Sequence, residues 1–289
     1  MADKSYTRLN RAVLSVAGED RRTFLQGLIS NDIAKAGPDR AIWAAFLTPQ
    51  GKFLWDLFIV ESGDAFLIDV EAERAEDFRK KLSMYKLRAK VTITVMAEMA
   101  VYAALVPNAL GLGGEAGTAC AFGDGIAYVD PRLPQLGARV LLTSAEPLQA
   151  AGLNEAPLAV WDVLRLGLGV PDGSRDMPVD KALLLENGFD ELGGVDFNKG
   201  CYMGQELTAR TKYRGLVRKR LLPVVIQGDA PEPGTPILAG EAEAGEMRSS
   251  NGPVGLGMIR LEHLKSPLTC GGATLTVTIP DWARLPDVE

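Results

Sequence analysis

The segment that decides how this chain is interpreted reads Asn198-Lys199-Gly200-Cys201-Tyr202-Met203-Gly204-Gln205-Glu206. It shows neither the 3.6-residue period of a helix nor the two-residue period of a strand. Its two glycines let the backbone turn sharply or approach another group closely. We therefore predict a site loop, which regains a pattern compatible with a helix or a strand from Gln205 onward.

Cys201 is the candidate nucleophile of this loop. A neighbouring cation lowers the pKa of a thiol by favouring the thiolate, and Lys199 is the local candidate for that cation. The negative charge of Glu206 would instead raise the pKa of the thiol. The residue types alone leave a second interpretation open, because a glycine-rich loop is commonly a plain surface connection and a single cysteine is commonly a small buried hydrophobe.

Residues 199–206 resemble the K-G-C-Y-x-G-Q-E motif of the YgfZ-type folate-binding proteins, which are relatives of the glycine-cleavage T-protein, an aminomethyltransferase. Two upstream segments are also similar to that family, Phe24-Leu25-Gln26-Gly27-Leu28-Ile29-Ser30-Asn31-Asp32 and Leu47-Thr48-Pro49-Gln50-Gly51-Lys52. The resemblance implies tandem ferredoxin-like (split βαβ) units that form a T-protein-like folate-binding domain.

The order of elements by itself predicts an α+β fold. Strand-like runs and helix-like runs alternate in the first part of the chain, with strands at 12–16, 41–47, 53–60, 65–70 and 90–95 and helices at 18–29 and 72–86. Short strands with frequent turns after Val217 favour a small C-terminal β-barrel. We predict domains at 1–97, 98–215 (which carries the site loop) and 216–289.

Composition limits the classes of function. The net charge of −6 provides no overall basic field, so direct nucleic-acid binding is not expected. The first residues lack the apolar core of a secretion signal, and no apolar run is long enough to cross a membrane, so we expect a soluble, cytoplasmic protein. The three cysteines are too far apart for a zinc knuckle, and no metal site is expected.

Two acids are the candidate folate ligands. Asp56 shares a strand face with Leu54 and Phe58, where a carboxylate costs several kcal/mol unless it is paired or ligand-bound. The resemblance matches it to the T-protein acid associated with the reactive nitrogens of tetrahydrofolate. Glu186 resembles the T-protein acid that holds the pterin ring, although Asn187 stands where that pattern has alanine. A solvent-facing edge acid and an ordinary loop acid are the open alternatives.

Residue chemistry and the resemblance together lead to expected roles, although the resemblance leaves the chemical role of Cys201 open. Catalytic roles are expected for Cys201, Lys199 and Asp56. Tetrahydrofolate, or a one-carbon derivative of it, is the expected cofactor, with ligands Asp56, Glu186, Tyr202, Gln205 and Glu206. We expect the acids at 56 and 186 to meet in one cavity with Cys201 at its rim. The basic run 212–220 fits RNA, a folate tail or a strand with a solvated basic face, and the net charge of −6 favours a folate tail or a partner over nucleic acid.

By resemblance, the expected function is that of a tetrahydrofolate-binding accessory protein for iron–sulfur cluster assembly or repair. Its partners would be cluster assembly proteins and client enzymes, among them tRNA-modifying enzymes. The alternative is an aminomethyltransferase that moves a one-carbon unit to tetrahydrofolate, so enzymatic activity stays open. A protein-interaction module without folate binding is the third possibility.

Overall fold

A computed structural model describes residues 4–285 of the chain. The chain forms two compact units, each built from separated stretches of sequence. The first comprises Met1–Leu47, Trp55–Trp161 and Leu192–Met203, and the second comprises Thr48–Leu54, Asp162–Glu191 and Gly204–Glu289. The linear boundaries at 97 and 215 stay predictions.

The first unit contains two sheets. The five-stranded sheet has the order β3-β4-β5-β2-β6, and the six-stranded sheet has the order β11-β1-β7-β10-β9-β8. The strands are β1 (Ser5–Arg8), β2 (Arg11–Ala17), β3 (Ile42–Leu47), β4 (Phe53–Ser62), β5 (Ala65–Glu71), β6 (Thr92–Val95), β7 (Ala100–Ala104), β8 (Ala119–Phe122), β9 (Gly125–Val129), β10 (Ala138–Leu142) and β11 (Asn154–Glu155). The first two residues of β4 group with the second unit.

Three helices accompany these sheets: α1 (Arg21–Gln26), α2 (Ala75–Lys86) and α3 (Glu146–Ala150). The helix predicted from residue 72 begins as a 3-10 turn at Ala72–Arg74 and becomes α-helical at Ala75. Its apolar face buries Phe78 and Leu82, as the spacing of its apolar residues predicts.

The space between the two sheets holds charged residues as well as apolar ones. Three arginines and three aspartates of the first unit, each at most 8% exposed, form a cluster that we call the ion cluster: Arg11, Asp56, Asp69, Asp130, Arg132 and Arg139. Asp69 on β5 accepts hydrogen bonds from Arg11 Nε at 2.5 Å and from Arg139 Nε at 2.8 Å. Since Arg139 lies on β10, this pairing joins the two sheets.

Helix α4 (Leu158–Gly167) carries the chain from the first unit into the second. The second unit contains α5 (Gly173–Asp176), α6 (Gln205–Tyr213) and a closed six-stranded barrel of order β12-β15-β14-β13-β16-β17. The barrel strands are β12 (Lys219–Gln227), β13 (Pro236–Ala239), β14 (Ala242–Asn251), β15 (Val254–Arg260), β16 (Leu268–Cys270) and β17 (Ala273–Val277). The predicted α+β fold with a C-terminal barrel is confirmed.

The barrel is filled by apolar side chains that alternate inward, among them Leu222, Val224, Ile237, Met247 and Ile259. The basic run 212–220 is mostly not a strand. It covers the end of α6 and a connection, and only its last two residues belong to β12.

The turn before β4 requires a glycine. Gly51 has φ +82°, and a Cβ atom on it would lie 2.6 Å from the carbonyl oxygen of Gly204 and 2.7 Å from Leu207 Cβ. An L side chain is therefore disfavoured by both the backbone conformation and the close contacts. This close approach fixes the Thr48–Lys52 turn against the beginning of α6 within the second unit.

None of the helices formed by residues 4–285 combines the length and the apolar character needed to span a membrane.

Candidate functional site

Since Gln205 and Glu206 belong to α6, the site loop of the structure is taken as residues 193–203. It packs along the Phe24–Asp32 segment of the first unit. Ser30 Oγ donates to the Gly194 carbonyl at 2.6 Å, and Asn31 Nδ2 donates to the Gly193 carbonyl at 2.8 Å. Met203 N donates to the Gly27 carbonyl at 3.0 Å. The structure thus brings together two of the segments that carry the family resemblance.

Lys199 fixes this contact. Its ammonium donates three hydrogen bonds, to the carbonyl oxygens of Gln26 at 2.7 Å, Ile29 at 2.6 Å and Asn31 at 2.8 Å. The ammonium also lies 5.0 Å from the ring centroid of Tyr202. Burial lowers the pKa of Lys199 to about 8, against the opposing charges of Asp32 and Asp196. At neutral pH the group is mostly charged, and an ammonium has three hydrogens for three acceptors.

Cys201 is exposed, whereas Cys120 is half-buried and Cys270 is buried. All three cysteines lie within the described range 4–285 and are free thiols. Burial raises the pKa of both Cys120 and Cys270. Cys201 is therefore the thiol that a reagent or partner reaches without opening the fold.

Helix α6 begins directly after the loop. Gly204 precedes its first residue with φ +81°, a conformation that glycine adopts without strain. Gln205 is half-buried and Glu206 is exposed in the first turn, where a negative charge complements the helix dipole. The pattern that the sequence left open between helix and strand is a helix.

Asp56 belongs to the ion cluster. Its side chain is 1% exposed; Oδ1 accepts from Arg11 Nη1 at 3.0 Å and Oδ2 accepts from Trp43 Nε1 at 3.4 Å. Strand alternation indicated burial among apolar residues, and the structure shows the pairing that such burial requires. Both carboxylate oxygens already have donors within the protein.

Glu186 lines a cavity of about 270 Å³ in the second unit, together with Lys181, Lys219 and Arg248. In the part of the chain that the structure describes, its carboxylate has no hydrogen bond or ion pair. Burial raises the pKa of the Glu186 carboxyl, and the positive charges of Lys219, Lys52 and Arg248 partly offset this by lowering it. A half-buried acid without a donor, in a cavity with cations, is suited to accept hydrogen bonds from a ligand.

Comparison with known proteins places the chain among relatives that it matches over most of its length. It is 34% identical to the mitochondrial iron–sulfur cluster assembly factor IBA57 of Mus musculus, in an alignment that covers 94% of this chain and 83% of that protein. The Homo sapiens protein of the same name is also 34% identical, with the same coverage. The chain belongs to the IBA57 family of iron–sulfur cluster assembly factors.

Two further matches agree with the fold of this IBA57-family chain. Residues 218–285 match the family model described as the C-terminal beta-barrel domain of CAF17. The crystal structure of the glycine cleavage system aminomethyltransferase T from Bartonella henselae superposes with a TM-score of 0.79 at 16% identity, covering 98% of this chain and 87% of that one. The T-protein-like fold is confirmed, whereas the YgfZ-type assignment stays a prediction.

These comparisons also correct one expectation. The prediction of a cytoplasmic protein is wrong, because the IBA57 relatives are named as mitochondrial proteins. It rested on the absence of a secretion signal, and that absence does not separate the cytoplasm from an organelle.

The predicted site residues of this IBA57-family chain divide between the two units. Lys199, Cys201, Tyr202 and Asp56 belong to the first unit, and the second contains Glu186, Gln205 and Glu206. The shared cavity for the two acids stays a prediction. Sequence reasoning missed Arg11 and Trp43 as the donors of Asp56 and Arg248 as a neighbour of Glu186, because these residues lie on other strands and carry no local signal.

Proposed function

We propose that this chain is a tetrahydrofolate-binding accessory protein for iron–sulfur cluster assembly or repair, in which Glu186 holds the pterin and Cys201 provides the reactive thiol. The cluster is cargo for client enzymes, tRNA-modifying enzymes among them, and assembly proteins are the partners. Membership of the IBA57 family supports the assembly role, since its members are named for it.

The folate assignment rests on the Glu186 carboxylate, which lines a cavity without a hydrogen-bond donor from the described residues. A pterin presents a 2-amino group beside an N3–H, and one carboxylate accepts both hydrogen bonds. Glu186 meets this requirement, because it lines a cavity and has no donor of its own within residues 4–285. Lys181, Lys219 and Arg248 around it suit the negative charge of a folate tail. When bound, tetrahydrofolate would supply a one-carbon carrier.

The exposure of Cys201 supports a role in exchange with a partner. Its loop is tied to the Phe24–Asp32 segment by the Lys199 hydrogen bonds, so the thiol is presented from a fixed backbone. One exposed cysteine supplies one ligand or nucleophile, and an iron–sulfur cluster needs several ligands. A cluster that contacts Cys201 would therefore take its other ligands from a second molecule.

The aminomethyltransferase alternative draws on the likeness in fold to aminomethyltransferase T. The environment of Asp56 weighs against it, because both oxygens of this acid are held by Arg11 and Trp43. A glycine-cleavage assay with lipoylated carrier protein tests this alternative. Formation of methylenetetrahydrofolate at a catalytic rate would favour it over the accessory role.

Calorimetric titration with tetrahydrofolate tests the Glu186 assignment. We expect Glu186→Gln to weaken binding by about tenfold to a hundredfold, because one charged acceptor pair becomes a single neutral acceptor. Glu262→Gln is the matched control, since Glu262 is an exposed acid of the second unit. Equal affinities for the wild type and Glu186→Gln would remove Glu186 from the folate site.

A cellular assay tests the thiol. In a strain lacking this protein, the activities of iron–sulfur enzymes are measured after expression of wild type, Cys201→Ser or Cys120→Ser. We expect Cys201→Ser to fail and Cys120→Ser, which alters a half-buried cysteine, to restore activity. Full rescue by Cys201→Ser would show that the thiol is dispensable.

A further inference from the structure

A second, larger cavity lies in the second unit and shares no residue with the cavity of Glu186. Its volume is about 410 Å³, which is within the range of small-molecule sites. The walls combine apolar and charged side chains, among them Leu185, Glu191, Thr211, Val217, Arg220 and Arg284. None of these residues has a part in the function proposed above.

Arg220 is the decisive residue of this cavity. It is 3% exposed, and its Nη1 donates to Glu191 Oε1 at 2.7 Å. Its Nε and Nη2 atoms are buried without a hydrogen-bond partner among residues 4–285. These two N–H groups form one edge of the planar guanidinium, and that edge matches two oxygens of a carboxylate or phosphate. Leaving them unpaired costs free energy that an oxyanion would recover.

Three neighbours, Glu191, Thr211 and Arg284, add further polar groups to this cavity. Glu191 Oε2 is also buried without a partner in the described part of the chain, so an acceptor lies next to the unpaired donors. Thr211 Oγ1 donates to the Leu207 carbonyl at 2.8 Å and keeps its own lone pairs for a ligand. Arg284 is exposed, and its guanidinium has no ion pair within residues 4–285, so it adds a cation at the mouth.

We propose that this cavity binds a small carboxylate or phosphate compound that also carries a hydrogen-bond donor. The oxyanion pairs with the free edge of Arg220 and with Arg284, and the donor pairs with Glu191 Oε2. Such a compound satisfies each of the three unpaired buried atoms. The site is separate from the proposed folate site, and it requires no chemistry at Cys201.

Titration of the full chain with inorganic phosphate, glutarate and L-glutamate tests the proposal. Binding is measured by calorimetry and by the amide chemical shifts of Gly215 and Val217. Glutarate supplies carboxylates without a donor, and L-glutamate adds an ammonium. We expect saturable binding of phosphate or of L-glutamate, and the better of the two identifies the class of oxyanion. L-glutamate should bind more tightly than glutarate.

Variants decide whether binding uses this cavity. We expect Arg220→Lys, which keeps the charge but loses the planar edge, and Arg284→Gln each to weaken the affinity by about tenfold. Arg284 is exposed, so its variant stays informative if Arg220→Lys does not fold. Arg218→Gln removes an exposed cation that does not line the cavity and should have no effect.

Three results would overturn the proposal: no saturable binding of phosphate or L-glutamate at millimolar concentrations, equal losses in Arg284→Gln and Arg218→Gln, or saturable binding of L-glutamate that is no tighter than that of glutarate. Glu186→Gln separates this site from the folate site. It should leave the oxyanion affinity unchanged while it weakens tetrahydrofolate binding, so either proposal can fail alone.

Discussion

Replacing Lys199 by methionine tests whether this lysine holds the site loop in place. Methionine keeps much of the length of the side chain and removes the ammonium that binds the carbonyls of residues 26, 29 and 31. Each hydrogen bond contributes about 1 kcal/mol net, because water competes for a half-buried group. The three bonds together give an expected loss of about 3 kcal/mol.

The substitution should lower the free energy of opening the site loop more than the free energy of unfolding the whole chain. Residues 193–203 are held to the Phe24–Asp32 segment by these bonds, by hydrogen bonds from the side chains of Ser30 and Asn31, and by backbone hydrogen bonds. Native-state hydrogen exchange therefore measures the effect best, since it reports the free energy of opening for each amide. The amides of Met203 and Asp196 donate to carbonyls of this segment and are the reporters. At pH 7 the lysine is mostly charged, so the comparison is made there.

Lys35→Met is the matched control. Lys35 forms an ion pair with Asp196 at 2.7 Å, but its side chain is 56% exposed. Exposed pairs contribute about 0–1 kcal/mol, so its removal should change the opening free energy little. Equal losses of protection in Lys199→Met and Lys35→Met would show that the Lys199 hydrogen bonds do not hold the loop.

Three other perturbations follow from the structure. Arg139→Met should lower the free energy of unfolding, measured in urea, by about 3–5 kcal/mol, because it leaves buried aspartates without one of their cations. The control Arg40→Gln removes an exposed ion pair and should cost at most about 1 kcal/mol, so similar losses in the two variants would contradict the role of the ion cluster. Burial raises the pKa of the Glu186 carboxyl above its ordinary value. Between the pKa of the unfolded chain and the higher pKa of the folded protein, the folded state binds more protons than the unfolded state, so stability falls as the pH rises through this range. Glu186→Gln should therefore be more stable than wild type at pH 7 and lose this advantage near pH 4 in thermal unfolding, and a constant difference would exclude the linkage. Gly51→Ala should cost about 2 kcal/mol more than Gly63→Ala, since both have positive φ but only Gly51 lacks space for a Cβ, and equal melting temperatures would refute the contact.

The fold could be predicted from local sequence signals to a large extent. The apolar run of β4 predicts a buried strand, and residues 55–60 are buried on both faces, so Asp56 is buried whichever face it occupies. The start of α6 was ambiguous, since the loop before it has no period and Gln205 suits either element. Only the left-handed Gly204 defines where the helix begins.

The candidate site could be predicted less well, because its contacts join residues far apart in the chain. The nearness of Lys199 to Cys201 in sequence suggested a cation for the thiol, yet the ammonium is fully occupied by carbonyls of the 26–31 segment. Arg11 holds Asp56 from another strand. Which side chains face each other across a sheet depends on strand order and register, which periodicity does not encode.

The ion cluster of the first unit limits the evolutionary paths open to this chain. Three positive and three negative groups balance, so any one replacement by an apolar residue leaves an uncompensated charge in the interior. A wholly apolar interior is accessible only through intermediates that are less stable than either end point. Descendants should therefore inherit the six residues as a block, and ancestral reconstruction would find them gained or lost together.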